Sequence, residues 1–419
     1  MSNSKSIMVV GGGISGITAA VEAAEVGYEV FLVEKNPYLG GRVAQNYQYF
    51  PKLCPPSCGL EINFRRIKDN PRIKYFTLTE VESISGDEGD YEVKLRINPR
   101  YVNENCTACG ECAKVCTTEI PNEINYGMDK VKAAYLPVDF AFPFRYVISP
   151  QIIGTPEAQK CKDACKYNAI DLDMKPTTLD LKVGAIIWAT GWQPFDATKV
   201  GYYGFGKYKN VITNVMMERL NSHHGPTQGK ILRPSDGKEI KSIAFVQCAG
   251  SRDENYLPYC SSVCCMASLK QARYVREQYP EAKIYIFYID IRAIGKYEEF
   301  FTPLTQDKNI SLIKGKIADI GEDPATGNLT VTAEDQFSGR IVKETVDMVV
   351  LATGMVPSTA ERKIPGAKVN YDENGFIILN GNSKGIYAAG CVRSPMDVAS
   401  SVRDATAAAL KAIQSIVRR

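Results

Sequence analysis

Residues Gly11-Gly12-Gly13-Ile14-Ser15-Gly16 stand between an apolar run, Ser6 to Val10, and a stretch in which Ile17, Ala20, Val21 and Ala24 recur with helical spacing. That helix should run to about Val26, with Gly27 as its C-terminal cap. A second apolar run, Tyr28 to Val33, then delivers Glu34 and Lys35, the glutamate eighteen positions after Gly16. Strand, G-x-G-x-x-G turn, helix, strand and acid in this order specify a dinucleotide-binding βαβ unit. Gly11 permits the turn, Gly13 lets the backbone approach a pyrophosphate, and Gly16 lets the helix pack on the strand, with Ser15 in the same turn; Glu34 should accept the ribose hydroxyls.

The same pattern occurs a second time with its turn rewritten. A β-branched and aromatic run, Ile243 to Val246, is followed by QCAGSRDENYLPYCSSVCCM from Gln247 to Met266, an amphipathic helix from about Ser262 to Gln278, and another strand, Lys283 to Ile289. Where glycines would meet a pyrophosphate there is only Gly250, together with Cys248, Cys260, Cys264 and Cys265 in the spacing C-x11-C-x3-C-C. The reading is that a nucleotide site has been replaced by a metal site, with an iron–sulfur cluster on these four thiols. A redox disulfide and a set of buried free cysteines are the other readings.

Composition supports metal chemistry over disulfides. The chain of 419 residues is long enough for two or three domains, with 45% hydrophobic and 23% charged residues, and a net charge of +3 gives no reason to expect nucleic acid as a partner. No apolar run is long enough to span a membrane, and the first strand begins too soon for a signal peptide, so a cytoplasmic chain is expected. Thirteen cysteines in a reducing compartment point to metal ligation or redox chemistry. The two histidines, His223 and His224, are adjacent in a polar loop, so little imidazole acid–base chemistry is expected.

Between Val81 and Thr190 the chain is longer than a simple dinucleotide domain requires. Residues 72–98 read as strands with a turn at Ser85 to Asp90, and Cys106-Thr-Ala-Cys109-Gly-Glu-Cys112-Ala-Lys-Val-Cys116 follows. C-x2-C-x2-C-x3-C is the bacterial ferredoxin run, which wraps a [4Fe–4S] cubane and normally sends its fourth cysteine to a second cluster. Cys161 and Cys165 resemble the end of a second ferredoxin motif whose first two cysteines are missing. One cubane on Cys106, Cys109, Cys112 and Cys165 is expected, with Cys116 the alternative fourth ligand. Cys54-Pro-Pro-Ser-Cys58 has three open readings: structural cysteines, a redox pair, or supplementary ligands.

Other stretches favour FAD over NAD. Asn36 to Arg42 places a second glycine pair, Gly40-Gly41, just beyond Glu34, two apolar strands end in Ala-Thr-Gly at 189–191 and 352–354, and Gly385 to Gly390 is a strand leading into a helix from about Asp397 to Val417. These features resemble flavoproteins of the thioredoxin-reductase type. That resemblance implies FAD contacts from Gly41, Arg42, Val81, Thr190, Gly191, Gly390 and Cys391, the last standing where such proteins carry an aspartate. No second G-x-G-x-x-G is present.

Taken together, the cysteine-rich run, the Ala-Gly-Cys-Val at the flavin strand and the ferredoxin insertion resemble the A subunits of heterodisulfide reductases. The LCPPSCGLEIN stretch is similar to the branch found in the quinone-interacting membrane-bound oxidoreductase (Qmo) of sulfate reducers, the QmoA type. The expected fold is α/β, a thioredoxin-reductase-like flavoprotein with two dinucleotide-binding domains and an inserted ferredoxin-like α+β segment. Its expected parts are an FAD domain in three pieces (1–99, 176–195 and 356–419), the insert (100–175), and a second Rossmann-like domain (196–355) lacking the NAD fingerprint. The resemblance implies FAD and two [4Fe–4S] clusters, a QmoB-like flavoprotein partner, a QmoC-like membrane haem b and iron–sulfur partner, and electron exchange between menaquinone and adenylylsulfate reductase. Localisation would be cytoplasmic, peripheral to the membrane through the partners. The competing expectations are an NAD(P)H-dependent disulfide reductase using Cys54 and Cys58, and a scaffold that keeps FAD for structure alone.

Overall fold

The computed structural model describes residues 5–367, 369–379 and 384–417. The chain forms two compact units, one of Met1–Trp192, Pro357–Ser394 and Val398–Arg419, the other of Gln193–Val356 with Pro395–Asp397.

In the first unit, β1 (Ser6–Val10) is buried at every residue, as a central parallel strand must be. It pairs in parallel with β2 (Glu29–Val33) and with strand Ala185–Trp188; β3 (Ile73–Phe76) and strand Ile386–Ala388 form the edges. Helix α1 (Ile14–Glu25) lies on this sheet. A separate antiparallel sheet holds β4 (Thr79–Asp87), β5 (Asp90–Ile97) and strand Thr177–Val183. In β5 Tyr91, Val93 and Leu95 point inward and their neighbours outward, the two-residue period of a half-buried strand.

The last helix, Val398–Val417, turns its face differently from its apolar periodicity. Its buried residues are Ser401, Ala405, Ala408, Ala409, Ala412, Ser415 and Ile416, whereas Val398, Val402 and Ile413 are only partly buried. It shares a core with Ala19, Ala20, Ala23 and Ala24 of α1, and the close approach of two helices selects the small residues for the contact.

The insertion between β5 and strand Thr177–Val183 has its own core, with Val102, Cys116, Ala134, Ile148 and Cys161 in it. It contains the short helices α3 (Glu111–Val115) and α4 (Pro156–Asp163) and two strand pairs, Glu119–Pro121 with Lys130–Lys132 and Ala134–Tyr135 with Val147–Ile148. It is anchored within the first unit by Phe142, whose ring stacks on Phe64 at 5.2 Å and tilts against Tyr75 at 5.0 Å.

The second unit is built on a parallel sheet in the order Val211–Thr213, Met348–Thr353, Ser242–Ala249, Lys283–Tyr288, Ile310–Lys314. An antiparallel meander, Ile317–Glu322, Leu329–Asp335 and Arg340–Val346, makes its first hairpin turn through Thr326-Gly327-Asn328. Helix α5 (Asn214–Leu220) and α6 (Cys264–Gln278) follow their strands. Helix α6 starts at Cys264, not near Ser262, because Ser262 has φ +63°, which a right-handed helix cannot include. In its middle Lys270 and Glu218 form an ion pair of 3.0 Å with both side chains 6% exposed, and Gln271 Nε2 donates to Glu218 Oε1 at 2.8 Å. Glu218→Leu removes the buried carboxylate that pairs with Lys270 and should lower the unfolding free energy by about 3–5 kcal/mol, while adding Lys270→Met should restore most of it, both read from urea unfolding.

Candidate functional site

The fingerprint turn of the first unit is a place from which side chains are excluded. A Cβ on Gly11, at φ +108°, would lie 2.3 Å from the Ala189 carbonyl oxygen, and one on Gly16 would lie 1.7 Å from the Gly11 oxygen. Gly13 differs: its Cβ would meet only the Gly41 Cα, at 3.9 Å, so the space before it is open to a ligand. Gly13 bridges Gly40, which brings the Asn36–Arg42 loop against the start of α1. The α1 N-terminus has no side-chain cap and no acidic residue in its first turn, so its N–H groups face an anion site.

Glu34 is 5% exposed, and its two oxygens take the Gly12 N–H at 2.5 Å and the Asn36 N–H at 2.8 Å. Burial raises its pKa and these two N–H bonds oppose the rise. Each oxygen keeps a further lone pair for a ribose hydroxyl. Lys35 is exposed, and Val81 is buried in β4. Thr190 Oγ1 lies 2.5 Å from Ser358 Oγ, and Gly191 accepts from the Ser358 N–H at 3.1 Å. Gly390 comes so close to Ser15 that a Cβ there would be 2.1 Å from the serine oxygen, and Cys391 is buried at 3.8 Å from Ser401 Oγ. Asp404, from the last helix, takes the Gly390 N–H at 2.8 Å and pairs with Arg393. Reading the strand end alone missed this acid, because it arrives from a helix fourteen residues on. The side-chain-free cradle, the uncapped helix end and the buried acid fit the diphosphate and ribose of an FAD.

In the insert, Cys106, Cys109, Cys112 and Cys165 line one hollow with Val102, Tyr146 and Ile170. The Ala108 and Ala169 N–H groups point at the sulfurs of Cys106 and Cys165, at 3.4 and 3.3 Å, as donors to a charged thiolate would. Burial, and after it the neighbouring Cys106, pushes the Cys112 thiol up to about 12. Cys116 is placed away from this hollow, buried beside Cys161, whose sulfur donates to the Cys112 carbonyl at 3.5 Å. Thiols surrounding a hollow fit the donor set of a cubane, whose ligands sit on separate irons. Among the described residues no three Cys, His, Asp or Glu side chains converge on one ion.

In the second unit, strand Ser242–Ala249 holds Cys248 one residue before its end, at φ +56°, where the strand register shifts between Val246 and Ala249. Cys264 and Cys265 open α6, where a helix N-terminus favours thiolates. Burial, then Cys265, pushes the Cys248 thiol up to about 11, and Cys264 is raised by burial and by Cys248, Cys265 and Cys260, so the four sulfurs are electrostatic neighbours. Around them Cys264 donates to the Thr353 carbonyl (3.7 Å), Cys265 to that of Asp290 (3.6 Å), and the Ser262 N–H points at Cys260 (3.4 Å). An Arg252–Asp290 pair at 2.7 Å, which spacing alone could not reveal, adds a cation beside the sulfurs.

Cys54 and Cys58 both lie near the Tyr49 hydroxyl, Cys54 bridging Tyr49 and Cys58 exposed in the first turn of α2 (Pro56–Asp69). All the cysteines described are thiols. No described helix is long and apolar enough to cross a membrane.

Comparison with known proteins bears on the fold and on the class of cofactor. A family model described as FAD dependent oxidoreductase matches residues 6–52. Thioredoxin reductase from T. acidophilum superposes over 100% of both chains with a TM-score of 0.55 at 16% identity, and that from Lactococcus lactis over 99% of this chain and 100% of its own with 0.54 at 14%. The fold is therefore that of a thioredoxin-reductase-like flavoprotein. In sequence the chain is 42% identical to an iron-sulfur A subunit of the CoB--CoM heterodisulfide reductase of Methanopyrus kandleri, over 98% of this chain and 64% of that one. It is 36% identical to the A subunit of the H(2):CoB-CoM heterodisulfide,ferredoxin reductase of Methanothermobacter marburgensis, with the same coverage. These relatives, 36–42% identical over nearly the whole of this chain, are heterodisulfide reductase A subunits, and the chain spans about 64% of their length.

The buried thiols give a pH-dependent labelling order. In metal-free protein at pH 8, iodoacetamide should modify exposed Cys58 and Cys109 first and Cys112, Cys161 and Cys264 last. Because the raised pKa leaves Cys248 a neutral thiol below about 11, its labelling rate should climb roughly tenfold per pH unit up to that value, as peptide mass spectrometry would record.

Proposed function

We propose that this chain is an FAD- and iron–sulfur-bearing electron-transfer component of a heterodisulfide-reductase-type complex. The observation that carries the reading is the hollow shared by Cys106, Cys109, Cys112 and the distant Cys165, in a chain that also has the flavin cradle. FAD would be held by Gly11, Gly13, Gly16, Glu34 and Gly41, one [4Fe–4S] cluster by the four insert cysteines, and a second by Cys248, Cys260, Cys264 and Cys265. When bound, flavin exchanges one or two electrons and each cluster one, which supplies the redox chemistry.

The chain's own residues bind, insulate and tune. The glycine turn and uncapped α1 N-terminus neutralise the diphosphate, and Glu34 orients the ribose. Burial keeps water from Cys112, Cys248, Cys264 and Cys265, and the N–H groups of Ala108, Ala169 and Ser262 would offset part of the negative charge on Cys106, Cys165 and Cys260. No side-chain acid or nucleophile is required.

The finer assignment, within the same proposal, is a Qmo-type complex. The chain would sit with a QmoB-like flavoprotein and a QmoC-like membrane protein and relay, or bifurcate, electrons between the menaquinone pool and adenylylsulfate reductase, peripheral to the membrane. Its support is the LCPPSCGLEIN stretch around Cys54 and Cys58 together with the thiol-filled turn.

An anaerobic iron, sulfide and flavin count tests the core of the reading. The intact chain should hold about eight iron per FAD, Cys165→Ser should lose roughly half, and Cys116→Ser should keep them. An unchanged count in Cys165→Ser with a loss in Cys116→Ser would reverse the ligand choice. Prompt bleaching of the flavin by NADH or NADPH without a partner would favour a disulfide reductase using Cys54 and Cys58.

A further inference from the structure

The insert does more than house a cluster, because it holds the loop that brings the second glycine pair to the dinucleotide cradle. Three contacts do this. The Leu39 N–H donates to the Phe142 carbonyl at 2.9 Å, the Arg100 guanidinium donates to the Pro37 carbonyl, and Arg42 Nη1 donates to the Tyr126 hydroxyl at 2.9 Å. Phe142, Arg100 and Tyr126 lie in or at the base of the insert; Pro37, Leu39 and Arg42 belong to the loop after Glu34.

The third contact fixes a charge. Tyr126 accepts from Arg42 and donates to Gln45 Oε1 at 3.0 Å, and Gln45 Nε2 donates to the Tyr38 hydroxyl at 3.0 Å. The direction of the first bond is fixed, because a guanidinium only donates. On its other side Arg42 Nε donates to the Trp192 carbonyl at 2.9 Å, and the guanidinium stacks over the Trp192 ring at 4.9 Å. Arg42 follows Gly41, whose Cβ would lie 2.8 Å from the Gly13 Cα, and Trp192 follows Gly191 beyond the carboxyl end of strand Ala185–Trp188. The guanidinium is thus placed at the carboxyl edge of the sheet, where this fold binds its ligand.

Tyr126 is also held in an unusual way. It has φ +54°, a conformation that a tyrosine rarely adopts, in a tight loop closed by Gly127 N–H to Asn122 O (2.9 Å) and Asn125 Nδ2 to Asp129 Oδ2 (2.9 Å). A backbone that over-determines one left-handed aromatic residue presents that side chain in one place.

We propose that Tyr126 is a positioning residue of the flavin site, through which the inserted segment orients Arg42 toward the negative charge of bound FAD. This rests on the FAD assignment above. The charge could be that of the diphosphate or of the reduced flavin ring. A diphosphate role appears in the affinity for oxidised FAD, and a ring role in the flavin midpoint potential.

The test is Tyr126→Phe in the full chain, with FAD affinity, flavin potential and iron content measured together. Loss of one charge-assisted hydrogen bond should weaken FAD binding about tenfold, or lower the flavin potential, with iron unchanged. Arg42→Gln should produce a larger effect of the same kind, and the double variant should be no worse than Arg42→Gln alone. If Tyr126→Phe folds poorly, Gln45→Met, which removes the phenol's acceptor, should give a smaller effect in the same direction. Parental affinity and potential in Tyr126→Phe, or effects of Tyr126 and Arg42 that add, would overturn the proposal. A parent chain that takes up no FAD would instead overturn the cofactor assignment and this proposal with it.

Discussion

At Gly11 and Gly16 the flavin unit packs backbone on backbone: a Cβ on Gly16 would lie 1.7 Å from the Gly11 oxygen, and one on Gly11 2.3 Å from that of Ala189. Only a chain without side chains at these positions lets α1 descend onto β1 and aim its first N–H groups past Gly13. The rest of the unit is arranged around that contact. Gly40 bridges Gly13, Gly390 abuts Ser15, and the Asn36–Arg42 loop is held from behind by the insert. Substitution there would move the helix end, and with it the anion site, before it cost much packing elsewhere.

In the proposed function the second unit would use the same strand–turn–helix–strand frame for a different ligand class. An anion site needs bare N–H groups and room, which glycine supplies. A metal site needs sulfur and a reason to deprotonate it. Burial holds the Cys248 thiol up at about 11 and Cys264 above its ordinary value, so these groups are neutral without a strong Lewis acid. Cluster binding is then linked to release of their protons. The α6 N-terminus and Arg252 lower the cost of the resulting negative charge.

Much of this was legible in the sequence. Strand Ser6–Val10, helix α1, the half-buried β5 and the strand–helix unit at 242–278 have strong periodicity and turn chemistry, so their local preferences and the fold agree. What was not legible came from long-range packing. The ferredoxin-like pattern favoured Cys165 as the fourth ligand but kept Cys116 as the alternative, and it is the fold of the insert that puts Cys165 in the hollow and Cys116 beside Cys161. The last helix turns Ala408 and Ala412 inward, and not Val402, because its neighbour α1 presents alanines. Asp404, Tyr126 and the Arg252–Asp290 pair have no local signature, since each meets its partner across a fold that the linear pattern does not describe.

The central claim is that the thiol-filled turn of the second unit holds an iron–sulfur cluster of its own. The measurement that tests it most directly is anaerobic EPR of the dithionite-reduced full chain beside a variant with Cys248, Cys260, Cys264 and Cys265 all changed to serine. Two interacting signals are expected in the parent and one isolated signal, from the insert, in the variant. Identical spectra from the two proteins would contradict the claim and return the four sulfurs to thiol chemistry.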